Sequence, residues 1–452
     1  MDNSGLISEL TSASPVTVYG RVAGVLGLLV EVAGVAPYLS VGGRATIHTR
    51  DGRKAPAEVI GFKQGAHGPI TLMMPFTSVD GIGLGARVDV EQSEPSLYPT
   101  DAWLGRVVNA LGQPVDNGGS LTAGTDGALV RAAPPPAHAR GRVQGKVDLG
   151  VRALNTFLTC CRGQRMGIFA GSGVGKSVLM SMIAKYTHAD VAVIGLVGER
   201  GREVQEFIED DLGVEGLSRS VVVVATSDEA PLMRRQAAYT TLAIAEHFRR
   251  QGKEVLCMID SVTRFAMAQR EIGLSAGEPP TTKGYPPTTF SELARLLERA
   301  GPGLQQGADG KREGNITGLF TVLVDGDDHN EPIADAARGI LDGHIVLDRN
   351  IAQAGRFPAV NVLRSVSRTL PDCNSEAENA LLTRARGLMA TYDNMAELIR
   401  LGAYRKGADP AVDEAIAYRE QLENFLRQRM DEPATLAEGY TQLASILGMS
   451  ST

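Results

Sequence analysis

Cysteine is scarce in this chain, aromatic residues are few, and no apolar run approaches the length of a membrane span. The four cysteines are Cys160, Cys161, Cys257 and Cys373. They form no Cys-x-x-Cys pair and have no suitably spaced histidines beside them, so neither a zinc site nor a disulfide framework is indicated. They read as reduced core thiols of a cytoplasmic protein. Aromatic residues make up 5% of the chain, and Tyr19, Tyr38 and Phe62 are not interleaved with a basic cluster. A protein that grips single-stranded nucleic acid needs stacking platforms over a basic groove, so no nucleic-acid partner is expected. The formal net charge of −7 gives no general attraction to polyanions or to an anionic membrane surface. The longest apolar run near the front, residues 22–30, stops at Glu31. It falls far short of the about 20 residues that cross a bilayer, and no cleavable signal precedes it.

What is present is a globular composition: 452 residues, 43% of them hydrophobic. That is enough for a large core divided over two or three domains. Residues 17–90 are rich in Val and Gly, with short alternating runs such as Thr17-Val18-Tyr19 and Ala45-Thr46-Ile47-His48 broken by Gly-Gly or Asp-Gly turns. Short strands at that spacing suggest a small β-barrel. Pro134-Pro135-Pro136 cannot continue a helix or a central strand and reads as a connector. Beyond it, continuous β-branched runs at residues 166–169, 191–197, 221–225, 255–259 and 319–324 alternate with helical patterns, the signature of buried parallel strands. Residues 231–252 have helix length, with Pro near the start and Gly at the end. After about residue 374 the strands give way to Ala, Leu, Arg and Glu. The expected fold is α/β: a parallel-sheet core with an N-terminal β-barrel and a C-terminal helical domain. The boundaries read as a tail at 1–18, a barrel at 19–92, a core at 93–372 and helices at 373–452.

The chemistry concentrates at Ala170-Gly171-Ser172-Gly173-Val174-Gly175-Lys176-Ser177. A strand at 165–169 precedes this loop and an apolar helix beginning near Val178 follows it. That is the order a phosphate cradle requires, with backbone N–H groups curled by Gly171, Gly173 and Gly175 and the helix adding its positive end. Lys176 would reach the β and γ phosphates, and the Ser177 hydroxyl would bind Mg²⁺. Ala170 stands where the usual pattern has Gly, and a small residue fits there. The loop implies a nucleoside triphosphatase. Asp260, ending an apolar strand, faces the ligand crevice of an open sheet. It is a candidate to hold Mg²⁺ through water, or else a helix N-cap. Glu199, in Gly198-Glu199-Arg200-Gly201-Arg202-Glu203, could activate water beside the γ-phosphate, or could belong to a solvated charge cluster.

These motifs, with Gly284-Tyr285-Pro286-Pro287, Pro358-Ala359-Val360-Asn361 and Ser365-Val366-Ser367-Arg368, occur in the order found in the catalytic α/β family of rotary ATPases and the type III protein-export ATPases, which the chain resembles from barrel to C-terminal helices. The resemblance implies that Glu199 is the general base, that Arg200 lies near the γ-phosphate, and that Phe357 stacks on adenine. Arg368 would be an arginine finger reaching a neighbouring subunit's site, a device contributing about 10³ to 10⁵ in rate. Apart from the resemblance, Phe357 reads equally as core packing and Arg368 as a surface ion pair. Base and finger in one chain suit a homohexamer with equivalent sites. The segment Asp325-Gly326-Asp327-Asp328-His329-Asn330, with Leu341-Asp342-Gly343-His344-Ile345, is similar to the export ATPases, its Gly-Asp-Asp form to the flagellar members. No acidic lever segment of the synthase type is visible in the C-terminal part.

The resemblance therefore implies a RecA-like parallel-sheet ATPase core between the barrel and the helical domain, in a cytoplasmic ATPase peripherally associated with the inner-membrane export apparatus. Its implied partners are a stator dimer near the N-terminus, a coiled-coil stalk, export-gate membrane proteins and chaperone-bound substrates. Residues 1–15 are short and weakly amphipathic for stator docking. The alternatives are an injectisome ATPase, a hexameric RNA translocase and a noncatalytic scaffold.

Overall fold

In a computed structural model, the structure describes residues 17–91, 95–307, 310–324, 326, 328 and 331–450. Most of the Asp325-to-Asn330 segment and nearly all of the N-terminal tail therefore lie outside the described residues. The chain forms two compact units: Met1–Ser96 with Glu229–Met233 and Ala268–Thr288, and Leu97–Asp228 with Arg234–Met267 and Thr289–Thr452.

The first unit contains a closed six-stranded barrel. Its strands are β1 (Tyr19–Leu26), β2 (Leu29–Ala33), β3 (Arg44–His48), β4 (Lys54–Gly65), β5 (Gly68–Pro75) and β6 (Arg87–Val90), in spatial order β1-β2-β5-β4-β3-β6. All pairings are antiparallel. Alternation sends Val30, Val32, Ile47, Val59, Met73 and Val88 inward, each fully excluded from solvent. Each larger side chain so buried contributes about 1.5–3 kcal/mol. Closure removes the free strand edges that short β-strands would otherwise expose. Arg21 and Arg87 lie over the Tyr19 ring, 5.6 and 4.6 Å from its centroid. The β1–β6 pairing brings Arg87 there from far along the chain, so linear spacing did not reveal it.

The second unit is built on a nine-stranded sheet whose main path comprises β7 (Val107–Asn109), β8 (Arg165–Ala170), β9 (Val191–Glu199), β10 (Ser220–Thr226), β11 (Glu254–Asp260), β12 (Asn315–Leu323), β13 (Gly343–Val346) and β14 (Val366–Ser367), in spatial order β14-β13-β8-β12-β11-β9-β10-β7, with the short strand Gly301–Pro302 pairing β12 off that path. Every neighbouring pair in that path is parallel except β13–β14. The five expected strands are the central five. Beside β10, β7 extends one side; β13 and β14 extend the other. These are only two to four residues long and too short for a periodic signal.

Helices α1 (Arg152–Phe157), α2 (Lys176–Tyr186), α3 (Gly201–Glu206), α4 (Pro231–Arg250) and α5 (Val262–Ser275) follow in sequence. The C-terminal part is α6 (Glu376–Arg400), α7 (Pro410–Leu426) and α8 (Leu436–Leu447). Ser375 and Thr435 each close a capping box at the starts of α6 and α8, and Asp409 caps α7. Such caps contribute roughly 1 kcal/mol apiece by satisfying orphan N–H groups. Leu381, Leu388, Leu422, Phe425 and Leu443 join the same buried cluster as the strand residues Ile168, Ile194 and Met258. The C-terminal helices are therefore packed into the core of the α/β unit.

No described helix is long and apolar enough to cross a membrane. Cys160, Cys161 and Cys257 are buried and free, as a reduced-thiol reading expects, but Cys373 is only half-buried. It lies against Cys161, whose side chain hydrogen-bonds it and brings its pKa down to about 7. The two are far apart in sequence, and β-pairing of Cys160 and Cys161 with Val147 and Lys146 gives no linear hint of the neighbour.

Candidate functional site

Central strand β8 delivers the glycine loop to the carboxyl edge of the sheet. Ala170 is its last residue, fully buried and paired with Leu323. Gly173 and Gly175 adopt φ of +73° and +90°, a left-handed conformation that glycine takes without a Cβ penalty. Gly171 does not, so two of the three loop glycines produce the curl. Gly175 then caps α2, whose first N–H groups face an open cavity of ≈ 440 Å³. The cavity is lined by Gly171, Ser172, Gly173, Gly175, Lys176, Ser177 and Val178 of the loop, and across from them by Glu199, Arg200, Arg202, Glu203 and Arg264. Val174 is buried beneath it.

Lys176 is the electrostatic centre. Its Nζ lies 2.5 Å from Asp260 Oδ1 and 3.3 Å from Glu199 Oε1. Burial alone would depress the ammonium pKa, but the two carboxylates outweigh burial and hold it above its ordinary value. Asp260 is only 4% exposed and stands behind Lys176 instead of on the cavity wall. The register Ile259↔Phe320 sets it beside Thr321, whose hydroxyl donates to Asp260 Oδ1 at 2.6 Å. Ser261 Oγ, not Asp260, accepts the α5 cap bond, from the Arg264 backbone N–H at 3.2 Å. The N-cap alternative for Asp260 is thereby excluded.

Glu199 ends β9 after a register shift between Val197 and Glu199. Gly198 at φ +72° makes that shift, and a Cβ there would stand 3.0 Å from the Arg264 side chain. A bulge of this kind re-aims the next side chain, and here it turns Glu199 inward while the rest of the charged run points out. The Arg200 side chain is 76% exposed and pairs with Glu203 at 3.3 Å; Arg202 pairs with Glu206 at 3.5 Å. The Glu199 carboxyl is raised above its ordinary pKa, first by burial and then by the Asp260 charge and a Glu203 hydrogen bond, with Lys176 and Arg264 opposing.

Phe357 is 45% exposed and its ring lies beside the loop, 3.4 Å from the position of a Cβ on Gly175. That placement excludes core packing. Arg368 follows edge strand β14, is exposed, and donates from Nη2 to the Arg338 carbonyl at 3.3 Å. It is absent from the residues that line this chain's cavity. Two contributors escaped the sequence reading: Thr321, visible only through strand register, and Arg264, in the first turn of α5 after the strand that ends at Asp260.

Among the described residues, no group of three or more His, Cys, Asp or Glu side chains could hold a metal ion by itself. The oxygen donors present, an exposed Ser177 hydroxyl on the cavity wall and the Asp260 carboxylate behind it, are the hard ligands Mg²⁺ takes when phosphates and water complete its shell. The residues fit a phosphate-bound Mg²⁺.

Residues 150–367 match the nucleotide-binding domain of the ATP synthase alpha/beta family. The chain belongs to that family. Residues 374–445 match the type III secretion EscN ATPase C-terminal domain. Among curated relatives, the flagellum-specific ATP synthase of Caulobacter vibrioides is 58% identical over 98% of both chains. That of Bacillus subtilis is 48% identical over 99% of both, and that of Salmonella typhimurium 46% identical over 92% of this chain and 91% of the relative. Among solved structures, the assembled ATPase EscN of the enteropathogenic E. coli type III secretion system matches with a TM-score of 0.86 at 37% identity, covering 95% of this chain and all of that one. EscN in complex with its central stalk EscO matches at 0.84 and 38%, with the same coverage. The fold reading of barrel, RecA-like core and C-terminal helices therefore holds. The RNA-translocase alternative finds no counterpart among these relatives.

Proposed function

We propose that this family member is the ATP-hydrolysing motor of a flagellar type III protein export apparatus, using MgATP hydrolysis to deliver or release export substrates at the membrane gate. The observation that carries the chemistry is the convergence of Lys176 on Asp260 and Glu199 under a helix N-terminus that opens to a cavity of ≈ 440 Å³. The level of identity to relatives named as flagellum-specific supports the flagellar assignment over the injectisome one.

In this reading Lys176 and the loop N–H groups of residues 171–178 hold the triphosphate, and Ser177 and Asp260 hold Mg²⁺, Asp260 through water. The ion, when bound, neutralises charge on the β and γ phosphates. Glu199 takes a proton from the attacking water; its burial-raised pKa suits a base working near neutral pH. Arg200 lies near the γ-phosphate, Phe357 stacks on adenine, and Arg368 of one subunit reaches the site of the next. An exposed finger outside its own cavity suits a homohexamer. The partners are the stator dimer, a coiled-coil stalk, the gate proteins and chaperone-substrate complexes, and the site of action is the cytoplasmic face of the inner membrane.

The test combines enzyme and cell. Purified protein should hydrolyse ATP with Mg²⁺ and Lys176→Ala should not; the same allele on the chromosome should abolish filament assembly and swimming. Swimming that survives while an injectisome falls silent would transfer the assignment to the alternative. Hydrolysis that survives Lys176→Ala would remove the site from the reaction.

A further inference from the structure

The base-facing ring of Phe357 is not held by the nucleotide core alone. Its backbone carbonyl accepts from the N–H of Gln428 at 3.0 Å, just beyond the end of α7. Its neighbour Arg356 is 4% exposed and points the same way. Arg356 Nη2 donates to the Val360 carbonyl at 3.0 Å, and Nε forms an ion pair with Glu423 of α7, 2.9 Å away. Glu423 is braced in turn by Arg419, one helical turn earlier.

Gln428 itself is locked. Its Oε1 accepts from the Arg152 N–H at 2.7 Å, and its Nε2 donates to the Gly150 carbonyl at 2.9 Å and the Glu432 carbonyl at 2.6 Å. Two residues on, the Met430 carbonyl accepts from the hydroxyl of Tyr186 at 3.1 Å, and Tyr186 ends α2, the helix that begins at Lys176. The segment after α7 thus touches both the loop that carries Phe357 and the far end of the helix that carries the phosphate-binding lysine.

The geometry points to Glu423, with Arg356 and Gln428, as positioning residues of the C-terminal helical part that set the Phe357 ring against the nucleotide base. None of the three lines the cavity, and of this group it is the Phe357 ring that lies against the loop, beside Gly175, so each acts through Phe357. Burial drives the Arg356 pKa down and the Glu423 charge opposes that. A guanidinium excluded from water needs its carboxylate, which is why the pair fixes the 356–360 turn to α7. A movement of α7 would then shift Phe357, and binding of a base against Phe357 would bias α7 by the same free energy.

This inference rests on the reading of Phe357 as the base-stacking residue, and its test separates the two. Steady-state ATPase kinetics are measured for the full chain carrying Glu423→Gln, Arg356→Lys, Phe357→Ala and the Phe357→Ala/Glu423→Gln pair, with thermal melts alongside. Glu423→Gln keeps the shape of the side chain and removes the charge. It should raise KM for ATP roughly three- to tenfold, the size expected for weakening one ion pair, with kcat within about twofold. Arg356→Lys, which keeps the charge but loses the fork, should raise KM in the same direction. In the Phe357→Ala background the Glu423→Gln rise should vanish, because there is no ring left to position. A rise that persists unchanged in that background, or an unmoved KM in Glu423→Gln while Phe357→Ala raises it, overturns the positioning role alone. An unmoved KM in Phe357→Ala overturns the base-stacking reading and this inference with it. A fall in melting temperature without the KM change assigns the Arg356–Glu423 pair to stability only.

Discussion

Replacing Lys176 by Met tests the electrostatics of the site without any nucleotide. The wild-type ammonium stands 2.5 Å from Asp260 Oδ1 and 3.3 Å from Glu199 Oε1, and the three side chains are only 12%, 6% and 12% exposed. Methionine fills a similar volume and carries no charge, so two carboxylates are left together in a poorly solvated place. Breaking a buried pair by removing one partner costs about 3–5 kcal/mol, reduced where a carboxylate takes up a proton instead.

Glu199 is the group that does so, since burial and the Asp260 charge already raise its pKa with Lys176 present; without Lys176 that pKa rises further. A carboxyl whose folded pKa lies above its unfolded value binds more protons in the folded state. Its contribution to stability is therefore present at pH below the unfolded value and is lost as pH rises through the folded one. The deficit of Lys176→Met relative to wild type should be small near pH 4.5, grow as pH rises, and level off once the raised pKa has been passed. Adding Glu199→Gln should remove most of the growth, because the amide has no charge to lose. The assay is denaturant or thermal unfolding across pH 4.5 to 8.5 for the three proteins. A deficit that is constant with pH, or one that Glu199→Gln does not flatten, would refute the claim that Lys176 is the counter-charge of Glu199 in the folded chain.

Three further outcomes follow from the same coordinates. Glu199→Gln and Arg368→Ala should each be nearly inactive, yet their mixture should recover part of the hydrolysis; no recovery despite proven assembly would sink a shared intersubunit site. Ser177→Ala should raise the Mg²⁺ concentration needed for half-maximal hydrolysis by roughly tenfold, which a titration at fixed ATP will read; an unchanged requirement takes Ser177 out of the metal shell. Arg299, fully buried, holds Glu246 through two bonds of 2.9 and 2.8 Å and the Val130 carbonyl at 2.6 Å, so Arg299→Met should lose about 3–5 kcal/mol in urea unfolding. Removing the stranded acid as well, with Glu246→Leu, should restore much of it.

The parts of this molecule that were legible in one dimension are those whose physics is local. A glycine loop between an apolar strand and an apolar helix can be read from spacing, because the left-handed turns at Gly173 and Gly175 and the helix start at Lys176 involve consecutive residues. The five central strands were legible because burial on both faces demands unbroken β-branched runs. The partners that tune the site come from register and packing. Thr321 meets Asp260 only because β11 and β12 pair in one particular register, and no property of either run fixes that register by itself. The inward turn of Glu199 depends on one glycine bulge, while the charged residues that follow it face water. Distance along the chain grows again at Phe357, where the ring that lies against the phosphate loop is fixed by a backbone N–H about seventy residues later, at Gln428. A nucleotide site of this family is thus assembled from a local cradle and remote props. Because the props reach into the C-terminal helices, those helices cannot move as a rigid attachment without altering how the Phe357 ring is held against the glycine loop.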